Sequence, residues 1–133
     1  MLGLFGGADS AIAPEAIAAS MAQGRPQFIK VYYGTDQTDV ASRLKLYYLT
    51  SAFHRMLGLS KIEQVEFVGG DLHRQHHTYS NGAQVWVNRG ESDWKVKGRV
   101  LPQYGYLVQG PNFEQGRERK SETTIEFVNA PEY

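Results

Sequence analysis

The sequence predicts an α+β fold in which N-terminal helices are followed by a C-terminal antiparallel β-sheet or sandwich. Three observations carry that expectation: apolar residues recur at helical spacing before residue 60, the pattern switches to a period of two from Lys61 onward, and Gly, Asn and Pro punctuate the second half at hairpin intervals. A chain of 133 residues fits one ordinary domain, with roughly two-thirds of its unfolded surface available for burial. The expected organisation is a helical segment over 1–60 and an antiparallel β-domain over 61–133, and the boundary between them could also divide two domains of a longer parent.

The first helix is expected over 12–23. Asp9 or Ser10 can cap it, Pro14 falls in a first turn that needs no amide donor, Ile17, Ala18 and Met21 recur at helical spacing, and Gly24 stops the run. Residues 27–33 are rich in β-branched and aromatic side chains and are closed by Gly34, which predicts a strand. Thr35, Asp36 and Thr38 then supply capping oxygens for the strongest helix, over 39–57. Its Val40, Leu44, Tyr47, Tyr48, Ala52, Met56 and Leu57 form a wide aromatic stripe suited to packing on a sheet or another helix, and Gly58 ends it. Strands follow over 62–68, 72–79, 83–88, 94–97, 104–109 and 123–128. Asn81-Gly82 predicts a type I′ turn joining the second and third of these, with Val85 and Val87 on one face and Trp86 on the other. The most polar stretch, 110–121, reads as a long mobile loop.

Charge and composition exclude several function classes. Fourteen Lys and Arg balance fourteen Asp and Glu, so the basic field that nucleic-acid binding requires is missing and no nucleic acid is expected as a partner. The chain has no Cys, which removes disulfides, thiolate metal sites and Cys nucleophiles and leaves the compartment open. Met1 to Gly7 is apolar but lacks a basic flank and is far shorter than the ~18 apolar residues of a membrane span, so no membrane association is expected. A signal peptide, where the protein has one, would lie upstream.

Residues suited to chemistry are scattered. His73, His76 and His77 lie close together, but on a strand His73 and His77 share a face while His76 opposes them, so three imidazoles cannot meet one ion without a bulge. His73 and His77 are the metal-ligand candidates, weighed against solvated strand residues, and no cofactor is expected. Glu63 and Glu66 fall on opposite strand faces and Glu91 and Asp93 in a turn, which gives no carboxylate pair for glycoside hydrolysis. No Gly-x-Ser-x-Gly elbow and no phosphate loop occurs, and no catalytic residue is assigned. Among eight Tyr, six Phe and two Trp, Trp86, Trp94, Tyr104 and Tyr106 are candidates for stacking on sugar rings. The competing reading is that these rings fill the core and seal its rim.

Tyr79-Ser80-Asn81-Gly82, Val85-Trp86-Val87-Asn88-Arg89-Gly90, Asp93-Trp94 and Leu101-Pro102-Gln103-Tyr104-Gly105-Tyr106-Leu107-Val108 follow one another in this chain. The succession resembles the C-terminal β-domain that follows the catalytic TIM barrel in several families of glycoside-hydrolase-like proteins. It covers residues 79 to 108 closely and the helix carrying Leu46-Tyr47-Tyr48-Leu49 more loosely. The resemblance implies an accessory domain packed on a barrel, with the catalytic carboxylates elsewhere, an upstream catalytic domain as partner, and carbohydrate as the ligand of a secreted or periplasmic parent. The segment over 1–60 would then be the tail of the barrel or a cap on one sheet face. On this expectation an exposed apolar patch around Tyr47 and Phe53 receives the neighbour. The alternatives are an autonomous carbohydrate-binding module using exposed Trp and Tyr, and a small metal enzyme around His73 and His77.

Overall fold

The computed structural model describes residues 14–24 and 37–130. The strand expected over 27–33 lies outside them, as do the expected capping residues Asp9, Ser10, Thr35 and Asp36, whereas Thr38, also expected ahead of the second helix, falls within it. The described elements are α1 (Pro14–Gln23), α2 (Gln37–Leu57), β1 (Ile62–Phe67), a 3₁₀ turn (Val68–Gly70), β2 (Arg74–Tyr79), β3 (Gln84–Asn88), β4 (Trp94–Val96), β5 (Arg99–Leu101), β6 (Tyr106–Gly110), β7 (Phe113–Lys120) and β8 (Thr123–Asn129). The fold is therefore α+β, helices first.

Six strands form one antiparallel sheet in the order β1-β2-β3-β6-β7-β8, and β4 and β5 make a separate hairpin inserted between β3 and β6. Strand alternation gives the sheet two unlike faces. One cross-strand row runs Val65, His77, Val85, Val108, Gln115, Val128, and the row beside it on the opposite face runs Glu66, His76, Trp86, Leu107, Gly116, Phe127. The first face packs on the helices: Ile17, Ala18, Met21 and Ala22 of α1 and Ala52, Phe53 and Leu57 of α2 share a core with Tyr79, Ala83, Val85, Val87, Tyr106, Val108 and Phe113. On the second face the β4–β5 hairpin folds back so that Trp94, Val96 and Leu101 close over Trp86 and Leu107.

The two helices are fixed at their C-termini by the β2–β3 turn. A helix leaves its last carbonyls without partners inside the helix. Tyr79 Oη donates to the Ala22 carbonyl at 3.0 Å, and Asn81 Nδ2 donates to the Met56 carbonyl at 3.0 Å. Gly24 follows α1 at φ +62°, where a Cβ would lie 2.8 Å from Tyr79 Oη.

The hairpin expected at Asn81-Gly82 forms, with Val85 and Val87 on the helix face and Trp86 on the other. Its turn differs from the expected type. Gly82 has φ +87° but Asn81 is not in the left-handed region, Gly82 N–H donates to the Tyr79 carbonyl at 3.0 Å, and Tyr79 N–H donates to the Ala83 carbonyl at 2.9 Å. This is a three-residue loop, a type I turn closed by a glycine bulge. In this turn the Asn81 amide is engaged on both sides: Oδ1 accepts from Ala83 N–H at 3.0 Å while Nδ2 caps α2. Consecutive left-handed residues, as in a type I′ turn, occur instead at Lys97 (φ +52°) and Gly98 (φ +79°), joining β4 to β5.

The loop expected over 110–121 is corrected. Pro111 and Asn112 make a tight turn and residues Phe113–Lys120 form β7, the longest strand, paired with β6 on one side and β8 on the other. Its charges are satisfied within the fold: Arg99 bridges Glu114 and Glu118, Arg117 Nη1 meets Glu126 Oε1 at 2.8 Å, and Arg119 Nη1 meets Asp93 Oδ2 at 2.8 Å. Strand β5, which the sequence reading passed over, supplies Arg99. Phe53 is likewise part of the core, and among the described side chains of α2 the large exposed apolar ones are Leu44, Tyr47 and Tyr48, at 52%, 52% and 59% exposure.

Candidate functional site

In this sheet the β1–β2, β3–β4 and β5–β6 connections all emerge at one end, and Asn88, the last residue of β3, ties them together. Its side chain is fully buried. Nδ2 donates to the Ser92 carbonyl at 2.8 Å and to the Leu101 carbonyl at 2.9 Å, and Oδ1 accepts from Gly90 N–H at 3.0 Å. Its backbone N–H donates to the Gly105 carbonyl at 2.9 Å and its own carbonyl accepts from Tyr104 N–H at 2.7 Å. The next residue, Arg89, donates its N–H to the His73 carbonyl at 2.8 Å, which brings the β1–β2 connection into the same network.

Two features keep this floor rigid. A Cβ at Gly105 would lie 2.7 Å from Pro102 Cδ and 2.9 Å from the Arg117 carbonyl oxygen, so only glycine fits. Tyr104, directly before it, is held at φ +61°, a conformation that non-glycine residues adopt at a cost. On the β1–β2 side, Asp71 Oδ1 accepts from His73 N–H at 2.9 Å and Asp71 Oδ2 lies 3.8 Å from Arg74 Nε. Glu15, in the first turn of α1, lies 3.7 Å from Arg89 Nη2.

On this floor stand two open clefts that share His73 and Arg89. One, of about 470 Å³, is bordered by Asp71, Arg74, Glu91, Ser92 and Gln103. The other, of about 430 Å³, is bordered by Glu15, Phe67, Leu72, Gln75 and Tyr104. The arrangement offers hydrogen-bond donors and acceptors side by side with apolar surface.

The sequence-derived candidates separate. His73 lies in the turn before β2 and lines both clefts, whereas His77 sits in β2 on the helix face, buried. The two were expected on one strand face; β2 begins only at Arg74, because Asp71 and His73 close a turn ahead of it. His77 Nε2 is 3.1 Å from Gln75 Oε1, and its Nδ1 is buried with no hydrogen-bond partner. Burial, reinforced by the nearby His76, pushes its pKa below the ordinary imidazole value. His76, on the other face, stacks on Trp86 with ring centroids 4.7 Å apart, and its Nε2 is 2.8 Å from Gln84 Oε1. Among the described residues no three His, Asp or Glu side chains converge as metal ligands.

Of the four candidate stacking rings, Trp86 (6% exposed), Trp94 (9%) and Tyr106 (0%) are enclosed in the two cores. Tyr106 Oη accepts from Gln115 Nε2 at 3.1 Å. A ring packed on both faces has none to offer a sugar. Tyr104 is half-buried and borders the second cleft. From the sequence alone Glu91 falls in a turn with no catalytic partner, and Asp71, Arg89 and Gln103 stand in connections with no role assigned. The signal was present: in an antiparallel meander alternate connections share an end.

No helix among the described residues is long and apolar enough to cross a membrane. No protein-family model matches this chain, and no curated protein matches it in sequence.

Proposed function

We propose that this chain is a non-catalytic accessory domain of a larger carbohydrate-active, glycoside-hydrolase-like protein, and that it steadies a neighbouring catalytic domain through the outer face of α2. One observation supports the reading above the others: the residues that carry the resemblance to such C-terminal β-domains are occupied in building the fold. Asn88 joins the loops, Trp94, Leu101 and Leu107 fill the second core, and Gly105 fits where no side chain could. A motif that specifies a scaffold suits a domain whose work is positional.

On α2, Phe53 and Leu57 face the sheet while Leu44, Tyr47 and Tyr48 stay exposed, the two tyrosine rings edge-on with centroids 5.7 Å apart. Clustered exposed aromatic and aliphatic side chains mark surfaces that a partner covers.

The native protein provides the test. Detected in its source with an antibody to this domain, it should have a mass far above the 14.9 kDa of this chain. In that parent, Tyr47→Asp combined with Tyr48→Asp should lower the thermal midpoint of the catalytic domain while leaving the fold of the isolated chain intact. A free-standing 14.9 kDa product, or an unchanged midpoint, overturns the reading.

A further inference from the structure

We infer that the loop end of the sheet binds a neutral oligosaccharide, with successive sugar units in the two clefts on either side of His73 and Arg89 and the Tyr104 ring as the stacking surface. The inference goes beyond the docking role and does not depend on it, since no α2 residue borders either cleft.

The chemistry of the lining selects the ligand class. Around the first cleft, Arg74 and Arg89 are matched by Asp71 and Glu91, and around the second Arg89 is matched by Glu15. An anion would meet three carboxylates and a cation two guanidinium groups. A hydroxyl both donates and accepts, so a polyol can donate to the carboxylates and accept from the guanidinium, His73 and Gln103 groups with no net charge to desolvate. The second cleft adds an apolar side: Phe67 and Leu72 are 44% and 66% exposed, and Tyr104 stands beside them. Sugar rings present C–H faces to surfaces of this kind while their hydroxyls reach the polar rim.

Volume and rigidity agree with this assignment. The clefts, of about 470 and 430 Å³ and open to solvent on one side, have room for single sugar units with the chain continuing outward. The floor is preorganised by the Asn88 network, so little ordering is required on binding. The left-handed backbone at Tyr104 bears on the same point. Glycine would hold φ +61° without strain, yet the chain places a large ring there, one residue before a glycine that the packing demands. Strain of this kind gathers at sites that hold a ligand.

The test is a magnetic-resonance titration of the isotope-labelled chain with uncharged hexaoses of β-1,4-glucan, xylan, mannan and α-1,4-glucan type, with hexagalacturonate as the charged comparison. At least one uncharged hexaose should shift the amides of Asp71, His73, Arg89, Gly90 and Tyr104. Tyr104→Gly keeps the backbone conformation and removes the ring, and should weaken binding about ten-fold or more. Arg89→Ala should also weaken it, and serves if the first variant loses its fold. The inference is overturned if no uncharged hexaose shifts these amides up to roughly 10 mM, if only hexagalacturonate does so, or if both variants bind as the wild type does. Such failure would leave the docking role standing, because that role is read at Tyr47 and Tyr48.

Discussion

Asn88 illustrates how one side chain can carry a loop architecture. Its three hydrogen bonds go to backbone groups of Gly90, Ser92 and Leu101, so Asn88→Ala strands polar groups in a buried site. A loss of about 3 kcal/mol is expected, seen as a lower urea midpoint with an unchanged slope. His77 gives a pH dependence. Its folded pKa lies below the ordinary value of 6.5, so the unfolded chain takes up the proton first. The stability conferred by the neutral buried ring is therefore complete above pH 6.5 and lost as the pH falls through the folded value. Urea melts at descending pH should show this decline, and His77→Gln should make it shallower. Tyr79 and Tyr106 act at the opposite end. Burial raises the Tyr79 pKa from 10.0 to about 12 and that of the fully buried Tyr106 further still. Both phenols are stabilising below pH 10, and that contribution is lost as the pH rises through their folded values. Tyrosinate absorbance of these two rings should thus appear together with loss of the sheet's circular dichroism, not before it.

At the level of elements, β7 is the most informative strand because its sequence conceals it. Strand propensity is a weak guide where pairing on both sides fixes the chain, and Phe113–Lys120 carries Glu, Arg and Lys on a segment that β6 and β8 hold in register. Its charges suggest a loop because their partners lie far off in sequence: Arg99 for Glu114 and Glu118, Glu126 for Arg117, Asp93 for Arg119. Gly116, which read as a loop glycine, is a gap in the middle of β7 that the Phe127 ring fills, with a Cβ there meeting Phe127 Cε1 at 2.9 Å and the Tyr106 carbonyl oxygen at 2.9 Å. Gly116→Ala should therefore cost about 1–3 kcal/mol despite adding a better strand former, measurable as a fall in thermal midpoint. By contrast, α1, α2, β1, β2, β3, β4, β6 and β8 are legible in the sequence, from repeating apolar patterns or, at β4, from Trp94 and Val96 two apart. The candidate site was only partly legible. The sequence marks its turns, but which turns share an end follows from strand order, and the enclosure of Trp86 and Trp94 follows from a β4–β5 hairpin folding back over the sheet.

For the whole molecule the sequence marks a boundary near residue 60, and the packing bears directly on whether that boundary divides two units. Ile17, Met21, Phe53 and Leu57 from the helices lie in one core with Val85, Tyr106 and Val108 from the sheet, and the β2–β3 turn caps both helices through Tyr79 and Asn81. Helices held this way should have no separate stability, because removing the sheet leaves their buried faces in water and their last carbonyls without these partners. The two faces of the sheet supply independent reporters. Trp86 lies under the β4–β5 hairpin and Trp94 is carried on it, both in the core on the face away from the helices, so their fluorescence follows that core, whereas helical circular dichroism follows α1 and α2. In a urea titration the two signals should change at the same midpoint, as a single cooperative unit requires. Phe53→Ala should move both by the same amount, at a cost of about 3–5 kcal/mol, although Phe53 belongs to the core opposite the tryptophans. Separate midpoints, or a Phe53→Ala variant that shifts only the helical signal, would mean that the boundary near residue 60 divides two folding units and that the shared core is a docking interface between them.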